Sequence, residues 1–587
     1  MGWPYHFVDL SSEQKDDRRR LLDYYGALAQ LSLLIPLLVQ QCYFVAKWLA
    51  SQWRSGGDFD APSSPRAKYE RSNGVLSSAK AISRRLHWWS CGACSILGVH
   101  VGTNGEALAA FSWTAWLLLL CVVQTDDDYF HLTKRFGIVA SSQLPLHYLL
   151  ALKSPFSPLQ LLTHCSHETL NTSHQLLGRI VTLLVYLHAV LYLNLYIQVG
   201  VLRARLTEAY VLCGIAGIIA FTVVGTTALS SVRKWSYRVF YITHVTLATV
   251  LLPVLFFHVH HIRIYLYETA LIYVINIATQ ILASQTLRGT LQLMPGASLL
   301  IIEIPLDKRQ IGRPRWQPGQ HAYVSLKGHP LLRTFRSNPF TVASVPDIDK
   351  RLHFVARVLD GNTAKLAQAA NASKAELDFT VEGPYGVASH SAALLGYDRV
   401  LFLAGGVGAT FIVPLYRQLL ADLSPSKGSY RMEKVAFAWA VRSVAETTWA
   451  LPADPKEKAG FLERLHVYVT GPHTDTESMS RPSSALILDD DDEAEEAIEL
   501  QEHKGILSDA SDEGEGPEVR ADGARSSAGR PNLSLLIDQV FAQGNSLDSV
   551  AIVLCGPRSL SQALRTEVDR WVSRGRDVWL WDESFAV

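Results

Sequence analysis

The sequence lacks the features of several common protein classes. Only 18% of its 587 residues are charged and the formal net charge is zero, so nothing in it suggests a nucleic-acid-binding protein. Its seven cysteines stand mostly alone in apolar stretches, which excludes a disulfide framework. The first twenty residues are too polar for a cleaved signal peptide, so we expect the first apolar span to act as the targeting signal. No internal repeat of the solenoid type is present.

The zero net charge hides an acidic segment. Residues 474–530 contain 17 Asp or Glu against 5 Lys or Arg, a balance of −12 that the rest of the chain offsets with +12. The segment is rich in Ser and Gly and has few aromatic residues, so it cannot bury enough apolar area to offset the entropic cost of ordering. We expect a disordered insertion there. The neutral total therefore excludes neither a membrane protein nor a protein with anionic ligands.

The first half of the chain contains apolar runs that are long enough to cross a bilayer, which takes ~17–25 residues per helix. Seven such runs predict membrane helices at 28–49, 107–123, 136–152, 176–199, 210–230, 237–259 and 265–283. The second and third are short and interrupted by polar residues. The loops 51–106 and 231–238 are rich in Lys and Arg, whereas the loop 124–135 opens with an acidic run. Arg203 and Arg205 lie in a loop on the other side of the membrane and count against the orientation that these loops indicate. The majority predicts the N-terminus outside and the C-terminal half in the cytosol.

After residue 284 the pattern changes to short β-type runs separated by Gly and Pro, followed by strand–helix alternation. That order predicts a small β-barrel and then an open α/β sheet. The predicted organisation is an extracellular segment 1–27, a helical membrane bundle 28–284, a β-barrel domain 285–395 and an α/β nucleotide-binding domain 396–587. The acidic insertion of about 474–530 lies within the last domain.

Four histidines recur with one spacing in two predicted helices. His174 and His188 belong to the fourth helix, and His244 and His258 to the sixth; both pairs are 14 residues apart. Fourteen residues is about four helical turns, so both rings of a pair share a face and lie roughly 21 Å apart along the axis. The two helices are separated by one span and run parallel. His174 is therefore level with His244, and His188 with His258.

Two opposed imidazoles at each of two depths suit haem, whose iron takes one imidazole from each side. Ionisable residues inside a membrane are costly and usually functional. A metal transport path is the competing function, but it needs closer ligands and acidic partners. Histidines satisfied by backbone carbonyls are the structural alternative, and the repeated spacing argues against it.

Other histidines and cysteines carry weaker signals. Cys91 and Cys94 form an isolated C-x-x-C that we interpret as a membrane-interface segment. His147, His164 and His167 lie near helix ends without a partner spacing, and we assign them no role. His260 and His261 follow His258 directly; they could receive a metal ion, but solvation at the interface is the simpler interpretation.

The barrel region contains a flavin-type segment, Asn338-Pro339-Phe340-Thr341, that can pack an aromatic ring and a hydroxyl against an isoalloxazine. Gly361 and Thr363 open a helix-like run, and a helix N-terminus is a natural site for the FAD pyrophosphate. Gly-Asn-Thr is, however, also an ordinary helix cap.

In the α/β region a buried strand leads into a glycine-rich turn and a helix, which lets a diphosphate approach the backbone. The turn contains Gly405, Gly406, Gly408 and Thr410 and lacks the G-x-G-x-x-G fingerprint, so a Rossmann dehydrogenase is disfavoured. Arg442, at the end of the second strand, favours NADP because Arg pairs bidentately with a 2′-phosphate.

Two further positions complete the predicted nicotinamide site. Cys555 and Gly556 follow an apolar strand and could bring a thiol near the nicotinamide. Phe585 could cover the flavin face until the nicotinamide displaces it. A solvated Arg442 and simple surface packing of Phe585 remain the alternatives.

Taken together, the motifs resemble the fungal ferric/cupric metalloreductases, within the superfamily that also contains the NADPH oxidases. The resemblance covers roughly 107–587 and rests on LNTSHQLLGRIVTLLVYLHAVLY, YRVFYITHVTLATVLLPVLFFH, NPFTVAS, EGPYG, LAGGVGATFIVPL and LCGP, in the family's order. It implies two b-type haems on the four paired histidines, FAD on residues 338–341, and NADPH on the glycine-rich turn with Thr410, Cys555 and Gly556. Where the family usually has His before Pro-Phe-Thr, this chain has Asn338, which can still donate a hydrogen bond.

The implied function is a transmembrane oxidoreductase, a ferric-chelate or metal reductase, which passes electrons from cytosolic NADPH to ferric or cupric ions on the far side. We expect the plasma membrane, surrounding lipid, and a metal permease as a partner. Oxidases of the superfamily usually have one His pair spaced a residue closer, which favours metal ions as acceptors; an NADPH oxidase making superoxide stays open. A membrane scaffold without chemistry would have lost haem ligands or the glycine-rich turn, and neither loss is seen.

Overall fold

The structure is a computed structural model of the chain. It describes residues 5–8, 10–54, 75–96, 99–154, 157–163, 165, 167–307, 316–327, 337–359, 361–372, 376–386, 391, 393–423, 435–471, 525–543 and 548–583. The chain divides into two compact units. We call them the helical unit, formed mainly by residues before 285, and the sheet unit, formed mainly by residues from 285 onwards.

The helical unit is built from helices and one small hairpin. Its elements are α1 Ser12–Leu31, α2 Leu34–Arg54, α3 Val75–Ser90, β1 Ala93–Ile96, β2 Val99–Thr103, α4 Asn104–Val122, α5 Tyr129–Ser142, α6 Leu144–Leu150, α7 Pro158–Thr163, α8 His167–Gln198, α9 Leu202–Arg205, α10 Ala209–Thr227, α11 Ser230–Trp235, α12 Tyr237–His258 and α13 Arg263–Ala283. Polar caps fix several starts; in α4, Thr103 and Glu106 form a reciprocal capping box.

Six stretches of the described chain are long and apolar enough to span a membrane. They are Ser12–Ala46, Asn104–Val122, Thr169–Gln198, Ala209–Thr227, Tyr237–His258 and Arg263–Ala283. They correspond to six of the seven predicted helices. The remaining prediction, the third helix at 136–152, is divided between α5 and α6, and each of these is shorter than a membrane span needs. The break falls just before Pro145, whose ring and missing N–H do not fit a helix interior.

The helices of this unit direct apolar side chains both inward and outward. A cluster of buried residues such as Leu117, Val181 and Leu184 fills the interior. Large apolar residues such as Val190, Ile219 and Leu271 are exposed on the outer faces. Many exposed apolar side chains on one element mark a face that contacts lipid or another protein, and here they lie on helices of membrane-spanning length. This is the outward-facing surface of an integral membrane protein.

The first part of the sheet unit is a six-stranded antiparallel sheet. Its elements are β3 Ser284–Leu293, β4 Leu299–Pro305, β5 His321–Leu326, β6 Asn338–Thr341, α14 Pro346–Asp349, β7 Arg351–Arg357, α15 Asn362–Ala372 and β8 Leu377–Tyr385. The strand order is β6-β5-β8-β3-β4-β7, and a bridge between Val342 and Phe354 joins the two edges. The sheet is therefore almost closed into the predicted barrel, with Phe354 and Phe379 in its core.

The second part is a six-stranded parallel sheet with helices. Its elements are β9 Arg399–Gly405, α16 Ala409–Asp422, β10 Val435–Val441, α17 Pro455–Glu463, β11 Leu465–Val469, β12 Arg525–Ala528, α18 Leu533–Ala542, β13 Val550–Cys555, α19 Arg558–Ser573 and β14 Val578–Glu583. The order is β12-β11-β10-β9-β13-β14. The strand order reverses between β9 and β13, and ligands of such sheets bind beyond the carboxyl ends of the strands at that point.

The acidic insertion predicted at 474–530 extends too far at its C-terminal end. Residues 472–524 lie outside the described residues, so the expected disorder is untested there. Arg525–Ala528, which the sequence placed in the insertion, is strand β12 and pairs in parallel with β11. Ser526 is buried in this pairing. The composition of the segment is averaged over many residues, so the four residues of this short edge strand are not distinguished from their acidic neighbours.

Candidate cofactor sites

The structure brings the four paired histidines together as two opposed pairs in the helical unit. The ring centres of His174 on α8 and His244 on α12 are 6.2 Å apart. Those of His188 and His258, on the same two helices, are 6.5 Å apart. Each pair is level, as the 14-residue spacing predicts for parallel helices. We call the first the inner pair and the second the outer pair.

These distances fit one metal ion between the two rings of each pair. A metal–imidazole bond is about 2.0 Å long, so two imidazoles opposed on one metal place their ring centres roughly 6 Å apart. Both observed separations agree with this value. The residues present therefore fit a haem iron with two imidazole ligands.

Hydrogen bonds select the ring nitrogen that is available as a ligand. The Nδ1 atom of His188 is 2.8 Å from the carbonyl oxygen of Thr133, and that of His258 is 2.7 Å from the carbonyl oxygen of Tyr210. A carbonyl only accepts, so each Nδ1 carries the proton and donates. Nε2 then keeps its lone pair, which is the arrangement that metal-binding histidines adopt. The Nδ1 atom of His244 is buried and lacks a hydrogen bond of normal geometry.

Two glycines leave space for the rings of the outer pair. A Cβ atom at Gly137 on α5 would lie 2.8 Å from the Cε1 atom of His188. A Cβ atom at Gly214 on α10 would lie 2.7 Å from the Cε1 atom of His258. Real Cβ contacts are not this short, so any larger residue must displace the ring. Sequence reasoning missed both glycines, because each acts on a histidine of another helix.

His147, to which the sequence analysis assigned no role, lies against the inner pair. Its ring is stacked on the ring of His174, with centres 4.0 Å apart and planes within 9°. It lies on α6, beyond the helix break that the apolar pattern did not reveal. No spacing rule connects residues 147 and 174, so only the packing of the helices identifies this contact.

The remaining histidine and cysteine candidates that the structure describes form no further metal site. His260 and His261 have ring centres 3.8 Å apart beyond the end of α12. Cys91 and Cys94 are free thiols of intermediate exposure. Among the described residues, no group of three or more His, Cys, Asp or Glu side chains could hold a metal ion. His164 lies outside the described residues.

The flavin-type segment lies on β6, at the edge of the barrel. Phe340 and Thr341 are buried, while Asn338 and Pro339 are more exposed. The Oδ1 atom of Asn338 accepts a hydrogen bond of 3.0 Å from the Nδ2 atom of Asn362, the first residue of α15. The predicted isoalloxazine strand and the predicted pyrophosphate helix are therefore adjacent.

The residues that open α15 are used partly by the fold itself. Gly361 has φ of +80°, a left-handed conformation that favours glycine. The Oγ1 atom of Thr363 donates to the carbonyl oxygen of Leu359 at 2.8 Å and accepts from the Leu359 N–H at 3.0 Å. Thr363 thus shapes the turn, and the backbone at the start of α15 is the part left to face a phosphate.

The glycine-rich turn between β9 and α16 lies at the reversal of strand order. Gly406 has φ of +54°, and its carbonyl oxygen accepts a hydrogen bond from the Nε1 atom of Trp439 at 3.0 Å. A Cβ atom at Gly408 would lie 2.3 Å from the carbonyl oxygen of Cys555. At Gly405 it would lie 2.8 Å from Pro557. The turn is therefore pressed against the end of β13 and tolerates no side chains.

Thr410 and Cys555 support this turn from inside the fold. The Oγ1 atom of Thr410 donates to the carbonyl oxygen of Val407 at 2.9 Å, and its side chain is buried. Cys555 is 1% exposed and pairs with Glu583 of β14. Burial, and then the carboxylates of Glu583 and Asp582, raise the pKa of the Cys555 thiol well above its ordinary value. The thiol stays protonated at neutral pH, so it is a poor nucleophile.

Three predicted residues of the nucleotide sites remain: Arg442, Gly556 and Phe585. Arg442 is exposed at the carboxyl end of β10, on the same edge of the sheet as the glycine-rich turn. Gly556 packs against Gly405, with its added Cβ 3.3 Å from the Gly405 nitrogen. Phe585 lies outside the described residues. The structure also places Glu583 beside Cys555, a carboxylate that sequence reasoning missed.

Comparison with known proteins agrees with this architecture. Three family models match in order: a ferric reductase like transmembrane component over 136–255, an FAD-binding domain over 288–389, and a ferric reductase NAD binding domain over 397–569. The helices, the barrel and the α/β sheet are therefore those of a transmembrane protein with an FAD-binding domain and a nicotinamide-binding domain. The chain belongs to the ferric reductase family, as the resemblance of its motifs predicted.

Fungal proteins are among the relatives of this chain. Ferric reductase transmembrane component 3 of Saccharomyces cerevisiae is 26% identical over 439 residues, 73% of this chain and 57% of that protein. A probable metalloreductase AIM14 of Meyerozyma guilliermondii is 23% identical over 460 residues, 76% of this chain and 83% of that protein. Among solved structures, a flavohemoglobin from Malassezia yamatoensis is 14% identical, covers 76% of this chain and 96% of its own, and has a TM-score of 0.32.

Proposed function

We propose that this ferric reductase takes electrons from cytosolic NADPH and delivers them, through FAD and two b-type haems, to ferric or cupric ions across the membrane. One observation carries the proposal: two histidine pairs in the helical unit have ring centres 6.2 and 6.5 Å apart. When bound, FAD supplies the conversion of a hydride into single electrons, and the haems supply one-electron transfer across the bilayer.

The histidines hold the two haems in this proposal. His174 and His244 ligate the inner haem, and His188 and His258 ligate the outer one. The Nδ1 atoms of His174, His188 and His258 donate hydrogen bonds to backbone carbonyls, which fixes these three rings and leaves Nε2 as the ligand atom. The apolar interior around them, with Val181 between the two levels of α8, excludes water and bulk ions. A metal transport path is disfavoured, since neither pair has an acidic partner among the described residues.

FAD lies along the barrel edge in this proposal. Phe340 and Thr341 contact the isoalloxazine, and the backbone at the start of α15 receives the pyrophosphate. Asn338 keeps the strand and the helix together through Asn362, so the departure from the family's usual His is accommodated. Gly361 gives the turn its left-handed conformation.

NADPH binds at the carboxyl edge of the parallel sheet. The turn from Gly405 to Gly408 provides backbone N–H groups at the start of α16, where a diphosphate is favoured by the helix dipole. Arg442 is exposed on the same edge and pairs with the 2′-phosphate, which selects NADPH over NADH. Cys555 and Gly556 contact the nicotinamide end, with the neutral thiol acting as a spacer rather than a reactant.

The acceptor and the membrane belong to the same proposal. The printed names of the fungal relatives refer to ferric reductases and metalloreductases, which supports a ferric or cupric ion as the acceptor. The apolar outer faces of the helices contact lipid. We place the chain in the plasma membrane, where reduced metal reaches a permease.

Whole cells that express the full chain provide the test. Reduction of an impermeant ferric chelate should rise with expression and should resist superoxide dismutase. His258→Ala should abolish this surface reduction and the outer-haem absorbance while NADPH still reduces the flavin. His87→Ala, at an exposed histidine of α3, is the matched control. Surface reduction that survives His258→Ala contradicts the relay, and reduction abolished by superoxide dismutase identifies an oxidase instead.

A further inference from the structure

In the part of the chain that the structure describes, one of the four paired histidines stacks on another ring: His174 stacks on His147. It lies on α6, and its ring centre is 4.0 Å from that of His174, with the planes 9° apart. By contrast, His188 of the outer pair meets Tyr192 edge-on, with centres 4.8 Å apart and planes at 67°. The inner and outer sites therefore differ in what packs against their α8 ligand.

The stacked pair is also joined by two reciprocal hydrogen bonds. The Nδ1 atom of His174 is 2.9 Å from the carbonyl oxygen of His147. The Nε2 atom of His147 is 3.1 Å from the carbonyl oxygen of His174. Because both acceptors are carbonyl oxygens, both nitrogens carry protons and donate. His174 is left with its lone pair on Nε2, and its ring can neither slide nor rotate without breaking a bond or the stack.

Gly178 makes room for this arrangement. It follows His174 by four residues, one turn along α8, and so lies on the same face. A Cβ atom there would lie 2.9 Å from the Nε2 atom of His147 and 3.4 Å from its Cε1 atom. The room for the His147 ring is therefore built into the helix that carries the ligand.

We propose that His147 is a positioning residue that fixes the ring plane of His174 and makes the inner site distinct from the outer one. The planes of the inner pair meet at 66° and those of the outer pair at 89°. The inference rests on the proposed haem function. Second-shell contacts of this kind tune ligand orientation and basicity, and through them the potential of the metal.

The angle between two axial imidazole planes has a direct spectroscopic readout. The g values of a low-spin ferric haem in electron paramagnetic resonance depend on that angle. A ring of His174 released from its stack turns towards a new plane, so the inner signal moves while the outer signal stays. General loosening of the helical unit would instead move both signals together.

The test compares full-length variants in detergent. His258→Ala, which keeps only the inner pair, assigns the two signals. His147→Ala should shift the inner signal and the inner midpoint potential and leave the outer values unchanged. His147→Phe keeps a stacked ring and should shift the inner signal less. Gly178→Ala keeps every histidine but displaces the His147 ring, so it should act like His147→Ala.

Gly225→Ala is the matched control, since an added Cβ there meets nothing within 4 Å. The proposal is overturned if His147→Ala and Gly178→Ala leave the inner g values native, or if both signals move together. If His147→Ala does not accumulate as folded protein, the inner g values of Gly178→Ala alone decide whether the proposal holds. Absence of any haem from the native protein would refute the proposed function, whereas a native haem spectrum in these variants would refute only this inference.

Discussion

Replacing Gly214 by alanine tests how tightly the helical unit surrounds the outer pair. The added Cβ would lie 2.7 Å from the Cε1 atom of His258 and 3.0 Å from its Nδ1 atom. Carbon atoms in contact stay about 3.5 Å apart, so the ring must move by roughly 0.8 Å. That movement strains the 2.7 Å hydrogen bond from His258 Nδ1 to the carbonyl oxygen of Tyr210.

The size of the effect follows from overpacking. Extra methyl groups in a close-packed interior cost about 1–3 kcal/mol. If the whole cost opposes the position of the His258 ring in which it can bind iron, the affinity for the outer haem falls by roughly 5- to 150-fold, because 1.4 kcal/mol corresponds to a factor of ten. Gly214→Ala should therefore purify with close to one haem per chain, and the inner haem should keep its native spectrum.

The assay is the haem-to-protein ratio of the purified full chain, together with its reduced-minus-oxidised absorbance spectrum. Gly217→Ala is the control, because it lies on the same helix and its added Cβ meets Leu255 at an ordinary 3.5 Å. Gly217→Ala should keep two haems. The reasoning is refuted if Gly214→Ala also keeps two haems with a native spectrum, or if both variants lose haem equally.

Three further predictions concern the sheet unit. Cys555, whose pKa is raised by burial and by neighbouring carboxylates, should resist iodoacetamide at pH 8 until the chain is denatured; peptide mass spectrometry checks this, and ready labelling of the native protein would contradict it. His353 has its pKa lowered to about 4 by burial and by Arg351, so stability present above pH ~6.5 should be lost as the pH falls towards 4, by about 3 kcal/mol. Thermal unfolding of the full chain at pH 7 and pH 4 measures the loss, which His353→Phe should abolish; an equal loss in that variant would sink the assignment. Gly408→Ala, with its Cβ 2.3 Å from a carbonyl oxygen, should weaken NADPH-driven flavin reduction at least tenfold while dithionite still reduces the haems, and unchanged NADPH kinetics would be inconsistent with a close-packed turn.

Features that depend on local periodicity could be predicted from the sequence. The four paired histidines follow from helical spacing alone, since fourteen residues return to the same face. The glycine-rich turn was recognisable because a buried strand, a turn and a helix start follow one another within ten residues. The order of a barrel and a parallel sheet follows from a change of pattern that is equally local, and the structure has both sheets.

Features that depend on packing between elements could not be predicted. His147 meets His174 from another helix, and Gly214 and Gly137 act on rings carried by neighbouring helices. Hydropathy could not show the break before Pro145, because apolar residues continue on both sides of it. Strand β12 was concealed because it is only four residues long and adjoins the acidic segment.

The most direct test of the account is the cofactor stoichiometry of the purified full chain. The two opposed histidine pairs predict two low-spin haems for each FAD, and one haem in His258→Ala. A native protein without haem, or one whose haem content does not fall when His258 is replaced, would contradict the account.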